Sequence, residues 1–321
     1  MFTNTVKKTF GGFIAPENQK YLENNAFEFT TLRAALAYFL NFLNIKTLHV
    51  PVYYCHEVTE FLLSHGIELK FYNIDEKFLP LKVNLNPSEK LLYPDYFGIN
   101  QRGVEIVFAT FGSNNVIVDC AQAFWADYSC LAVLKSYRKF TPVPDGASII
   151  TNFELKLDSM ERNDAVKFDH LLDPIKESAH KHFLTAEHEF LDPKIKKISK
   201  ISKMLMSNLD LRNIKKSRSK NFNHLNNLFK VKNLLKFKSK QDSALNYPLL
   251  LGDRFLSKKQ LHDSGIFVPT YWPKRKDLFY NKFEQALTDN CLFLPIDQRY
   301  NLQDLQKMII ELTRMMGDTH E

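Results

Sequence analysis

NVIVDCAQA (115–123) and CLAVLKSYRKFTPVPDGASIITN (130–152) decide how this chain is read. Val116-Ile117-Val118 is a continuous apolar run of the kind carried by a strand buried on both faces, and it ends in an acid, Asp119. CLAVLKS and ASIITN read as two further strands around the proline-rich loop TPVPDG. A buried carboxylate is costly unless answered, so Asp119 must meet a cation or donors; capping a turn or pairing with a basic residue would satisfy it equally. Past the second strand, Ser136 and Lys139 stand at S-x-x-K spacing, where a hydroxyl can hold a phosphate while an amine reaches a carbonyl carbon. A solvated surface lysine beside Arg138 is the plain alternative.

Working outward, TLRAALAYFLNF (31–42) carries apolar residues at helical spacing, and TLHVP (47–51) is strand-like and stopped by Pro51. A second helix is expected from Cys55 to His65, closed by Gly66. IELKFYNID (67–75) alternates like a strand, KLLYPDYFG (90–98) is a buried-strand candidate, and GVEIVFATF (103–111) runs to the turn signal Gly112-Ser113-Asn114-Asn115. Strands alternating with helices of about ten residues imply crossover units, hence an α/β fold with a mostly parallel sheet covered on both faces. From Asn163 to Lys240 the pattern turns helical and polar, punctuated by Pro174 and Pro193. After Tyr247, the strand candidates YPLLL, GIFVP and CLFLPID alternate with helices at 257–263, 279–290 and 302–316. The expected division is a large domain at 1–162, a lysine-rich helical connection at 163–240 and a small C-terminal α/β domain at 241–321.

The net charge of +7 is local in origin: residues 194–240 hold fifteen Lys or Arg against one acid, Asp210, so the rest of the chain is net negative. Interleaved Ile, Leu and Phe make that segment read foremost as a solvated amphipathic face, with anion, nucleic-acid or membrane-surface binding as alternatives. Residues 1–20 lack the apolar core of a secretory signal, and no stretch has the length of a membrane span; a cytoplasmic protein is expected. Cys55, Cys120, Cys130 and Cys291 show no C-x-x-C spacing, and His180, His182 and His188 lack a third ligand in register, so no metal site is expected.

The run from Thr31 to Asp75, then YFG, VIVDCAQA and SYRKFTPVPDGASI, resembles in order and spacing the DegT/StrS family of sugar aminotransferases, and FVPTYWP and LFLPIDQRY resemble its closing motifs. The likeness implies fold type I of the pyridoxal-phosphate (PLP) transferases, with PLP as cofactor. By position it implies Lys139 as the Schiff-base lysine, Asp119 as partner of the pyridine nitrogen, Gln122 beside the phenolic oxygen and Ser136 as a phosphate ligand. Thr30, Thr31 and Arg33 fall at the phosphate-binding turn, and Tyr54 and Cys55 fall where a ring stacks on the cofactor, with Tyr53 and His56 as other candidates. It further implies a homodimer that moves an amino group, from glutamate by analogy, to a nucleotide-linked keto sugar in surface-polysaccharide or O-antigen (lipopolysaccharide) biosynthesis. No nucleic acid and no integral membrane association are implied.

The chain departs from the family pattern at Leu32, where glycine is usual, and at Lys139, which follows Ser136 by three positions instead of five. Its glycine pair is reduced to Asp145-Gly146-Ala147, and its large domain is short. These departures leave a second reading open, a non-catalytic binding or scaffold protein of the same pathway.

Overall fold

Ala26–Phe29 forms strand β1 and Thr47–Pro51 strand β2, and the apolar period between them folds as helix α1, Leu32–Phe42. Thr31 caps α1: its backbone is extended and its hydroxyl accepts from the Ala34 amide at 3.3 Å. Leu36, Phe39 and Leu40 are fully buried, and removing each from water contributes about 2 kcal/mol. The next crossover is α2, His56–Ser64, whose N-cap is Cys55; Gly66, at φ 75°, turns the chain into β3, Glu68–Tyr72. Then follow β4 (Lys90–Pro94), a short 3-10 turn, α3 (Gln101–Phe111), β5 (Val116–Asp119), β6 (Ala132–Ser136) and β7 (Ala147–Ile150). GVEIVFATF is therefore the body of α3, packed through Val104 and Val107. In this computed structural model the described residues are 21, 25–172, 178–190, 192–237, 244–252 and 256–317. The N-terminal twenty residues, Pro174, Lys238 and Lys240 lie outside them.

The seven strands make one sheet in the order β1-β7-β6-β5-β4-β2-β3. Only β7 runs against its neighbours. The reason is the length of loop 137–146, since a parallel return would need a crossover of about a dozen residues or more. Helices α1 and α2 pack on one face of the sheet and α3 on the other, as a parallel sheet requires. The sequence expectation of a mostly parallel α/β sheet holds.

Two buried polar clusters fix this arrangement. Glu89, ahead of β4, accepts from Lys70 Nζ on β3 at 2.5 Å and lies 2.7 Å from His49 Nε2 on β2, tying three adjacent strands together. Asp145 ends the proline-rich loop with no exposed surface and accepts from the Ser199 hydroxyl (2.7 Å), the Ser199 amide (3.0 Å) and the Ser202 hydroxyl (2.5 Å). Beside it Gly146 adopts φ 129°, and a Cβ there would come within 2.8 Å of Ile198 and Tyr137, so only glycine fits.

The stretch after β7 carries helices α4 (Asp169–Leu172), α5 (Ser178–Glu189), α6 (Lys200–Ser207) and α7 (Leu211–Phe229). Helix α7 buries Ile214, Phe222, Leu225 and Phe229 on one side and exposes Arg212, Lys216 and Lys220 on the other, as the amphipathic reading expects. Strand β8 (Asn246–Leu249) pairs antiparallel with β9 (Leu292–Pro295), and helices α8 (Lys258–Asp263), α9 (Lys282–Asp289) and α10 (Leu302–Gly317) accompany this second sheet. GIFVP is not a strand, contrary to its pattern: Ile266 and Val268 pack onto the core of the second sheet, whereas Phe267 is 66% exposed, and the segment pairs with neither β8 nor β9.

Asp145→Ala strands the donors of Ser199 and Ser202 and should lower the unfolding free energy by about 2–4 kcal/mol in urea titration. Lys70 first, then His49, holds the Glu89 carboxyl at about 2, below its ordinary 4.5. The stability Glu89 contributes is therefore complete above its unfolded value and lost as pH falls toward about 2. Urea midpoints measured from about pH 5 to pH 2 should fall less steeply for Glu89→Gln than for the parent chain.

Candidate active site

The parallel strands deliver their C-terminal ends to one edge of the sheet, where ligand clefts of α/β proteins form. There Thr31, Tyr54, Cys55, Asp119, Gln122, Ser136 and Lys139 line a single cleft of about 130 Å3. Lys139 and Asp119 thus line one cavity at that edge of the sheet.

Asp119 sits at the end of β5, opposite Pro94 of β4 and Leu134 of β6. Its Oδ1 accepts from the Ala121 amide at 2.7 Å and its Oδ2 from the Tyr54 hydroxyl. Burial pushes the carboxyl above its usual range, against the opposing pull of the Tyr54 bond, the Lys139 charge and the Ala121 amide. Lys139 stands in the turn after β6, closed by the Phe140 and Thr141 amides donating to the Tyr137 carbonyl at 3.0 Å, and its side chain is exposed. Its charge also acts on Cys55, whose thiol burial raises.

Gln122 accepts from the Phe97 amide at 3.1 Å through Oε1, while its buried Nε2 has no partner among the described residues. Arg33, on the first turn of α1, donates to Glu57 at 2.7 Å and to the Phe190 carbonyl, and its Nε is likewise buried without a partner among them. Both residues line the cleft. Thr30 lies apart from the cleft: its amide donates to Lys196 and its carbonyl accepts from Gly146, so its backbone serves the fold. Tyr53 packs inward on Trp272, with ring centroids 5.1 Å apart, and its hydroxyl donates to the Tyr271 carbonyl. Tyr54 is thus the tyrosine that faces the cleft.

Five cleft residues with charged or aromatic side chains are not among the site residues read from the sequence: Glu57, Asp95, Arg138, Glu187 and Trp272. Asp95 was within reach of that reading, being an acid just past a buried strand, as Asp119 is. It accepts from Tyr128 and from the Asn100 amide, and burial pushes it up to about 6. Arg299, in the segment LFLPIDQRY, bonds its own neighbour Asp297. Gln298 beside it reaches the lysine turn, donating to the Phe140 carbonyl at 3.1 Å. Arg218 donates to the same glutamine and lies 4.8 Å over the Phe140 ring. Among the described residues no cluster of His, Cys, Asp and Glu is arranged for a metal, and no helix is long and apolar enough to cross a membrane.

No protein-family model and no curated protein matches the chain. Solved structures do. An aminotransferase of Helicobacter pylori involved in the biosynthesis of pseudoaminic acid superposes with TM-score 0.62 at 15% identity, over 91% of this chain and 87% of that one. A DegT DnrJ EryC1 StrS aminotransferase from Brucella abortus gives TM-score 0.63 at 17% identity, over 91% and 86%. The PLP form of a Streptococcus pneumoniae protein gives 0.65 at 12% identity, over 92% and 88%. The chain has the fold of these aminotransferases. At such identities the likeness extends to the backbone frame, and the chemistry rests on the side chains of the cleft.

Removing the Tyr54 hydroxyl tests that chemistry directly. Tyr54→Phe leaves Asp119 Oδ2 without its donor and should cost about 1–3 kcal/mol of stability in denaturant titration. It should also raise the Asp119 pKa further, measured by carboxyl-carbon NMR titration.

Proposed function

We propose that this protein is a PLP-dependent aminotransferase acting on a nucleotide-linked keto sugar, with glutamate as amino donor and a homodimer as its working form. The observation that carries the reading is the convergence of Lys139 and Asp119 on one cleft, also lined by Gln122, whose buried Nε2 has no partner among the described residues. Reading residues 1–162 as the cofactor-binding domain and 241–321 as a small closing domain belongs to the same proposal.

The residues present fit the cofactor. A carboxylate oxygen accepts more than one hydrogen bond, so Asp119 Oδ2 can serve a pyridinium N–H as well as Tyr54. The spare Nε2 of Gln122 suits a phenolic oxygen. The hydroxyls of Thr31 and Ser136 and the spare Nε of Arg33 suit a phosphate at the N-terminus of α1, where Leu32 replaces a more permissive glycine. Bound PLP would supply an electron sink for cleavage of a bond at the amino carbon.

The protein's own part is then positional and acid-base. Lys139 Nζ would supply the covalent anchor and, once released, would take up and return the proton of the amino carbon. Asp119 would keep a ring nitrogen protonated, because a negative charge in a buried site is strongly felt. Tyr54 shares its hydrogen with the same carboxylate and moderates its basicity. Trp272 brings an aromatic ring to the cleft wall, 5.8 Å from the Tyr54 ring.

The Tyr54 hydroxyl on Asp119, together with the small cleft, favours a second reading, a protein of this fold that binds without catalysis. Titration of the purified chain with PLP separates the two. The aminotransferase reading expects a yellow protein, loss of colour in Lys139→Ala, and borohydride fixation of the cofactor on the peptide that carries Lys139. Asp119→Asn should keep the colour and lower transamination by about two orders of magnitude. A colourless wild-type protein, or equal colour in Lys139→Ala, favours the binding protein.

A further inference from the structure

The cleft holds a second polar arrangement that the sequence motifs do not describe. Arg33 comes from α1 and Arg138 from the turn that carries Lys139, and their side chains are 9% and 22% exposed. Arg33 is bonded to Glu57 and Arg138 to Glu187 of α5. The Phe190 segment joins the two: its carbonyl accepts from Arg33, and its ring lies 4.4 Å beneath the Arg138 guanidinium. All four charged residues line the cleft together with the hydroxyl-bearing Thr31 and Ser136.

We propose that Arg33 and Arg138 form a two-armed clamp for a dianionic phosphate group, and that Glu57 and Glu187 are internal carboxylates which occupy it until that anion displaces them. The assignment deepens the functional reading, on which it rests only for the identity of the phosphate that arrives.

Three observations carry it. The two guanidinium groups lie close enough for the Arg33 charge to act on Arg138, whose pKa burial lowers to about 10, against the opposing pull of Asp145 and then Glu57. The carboxylates paired with the two arginines are loosely held: Glu57 is 62% exposed, and Glu187 is 31% exposed with its buried Oε1 making no hydrogen bond among the described residues, so each can turn toward water at smaller cost than the arginines. The buried Nε of Arg33 still has no acceptor among the described residues, and a tetrahedral dianion would offer one along with the paired geometry guanidinium groups favour. The N-terminus of α1 adds its dipole in the same direction.

Isothermal titration of the full-length, cofactor-free chain with inorganic phosphate tests the clamp. Arg138→Gln should weaken binding about tenfold or more, and Glu187→Gln, which removes the competitor on an exposed helix, should tighten it several-fold. PLP and pyridoxal, which differ by the phosphate, distinguish the cofactor's phosphate from free phosphate: if the cofactor is the source, Arg138→Gln narrows the affinity gap between them. Unchanged or weaker phosphate binding by Glu187→Gln overturns the clamp, whether or not the arginine variant folds. The two readings fail separately. Colour at Lys139 with no effect of Glu187→Gln on phosphate rejects the clamp alone. Phosphate binding that follows the expected order, with no attachment of PLP to Lys139, supports the clamp and rejects the aminotransferase.

Discussion

A carboxylate buried at the end of a central parallel strand is the constraint to which the rest of the structure answers. Asp119 lies between the ends of β4 and β6 and has 6% of its surface exposed. Left alone, an ionised group so placed would cost several kcal/mol or surrender its charge. Three separate pieces of chain meet that demand: the Tyr54 hydroxyl from the turn after β2, the Ala121 amide from the turn after β5, and the Lys139 charge from the turn after β6. The groups that stabilise the fold at this point are also the groups that make a cleft.

The lysine turn is positioned from both ends. Behind it, Asp145 draws the proline-rich loop onto α6 through Ser199 and Ser202, and Gly146 permits the close approach of Ile198 and Tyr137. In front, Gln298 and Arg218 hold Phe140, one residue past Lys139, so the second sheet and α7 set the placement of that amine. The motif at 297–300 thus acts on the cleft through the backbone of the lysine turn, without entering it. This explains how a lysine three residues after Ser136, in a loop rich in proline, still reaches the cleft wall.

Much of this was legible in the sequence because parallel-sheet strands are short apolar runs with strong stops. TLHVP, KLLYP, VIVD, LAVLKS and ASII each gave a strand, and the polar residues just beyond them define the cleft. What was not legible depends on contacts distant along the chain. Glu187 meets Arg138 across an amphipathic stretch whose local pattern says only that it is helical. Thr30 and Thr31 are adjacent and chemically alike, yet the backbone bonds of Thr30 to Lys196 and Gly146 commit it to the fold, and Thr31 alone faces the cleft. Among Tyr53, Tyr54, Cys55 and His56, the turn that bonds the Tyr54 amide to the Val52 carbonyl decides which ring points at Asp119, and no spacing rule encodes it. GIFVP has a strand's composition but pairs with no strand among the described residues, and pairing is what makes a strand.

The central claim is that Lys139 and Asp119 grip opposite ends of one aromatic cofactor. A crystal structure of the chain grown with PLP tests it most directly. The account predicts continuous density from Lys139 Nζ to the cofactor and its ring nitrogen about 2.7–2.9 Å from Asp119, with the Tyr54 hydroxyl on the same carboxylate. Cofactor attached to another lysine, or a ring nitrogen facing solvent while Tyr54 keeps Asp119 to itself, would contradict it.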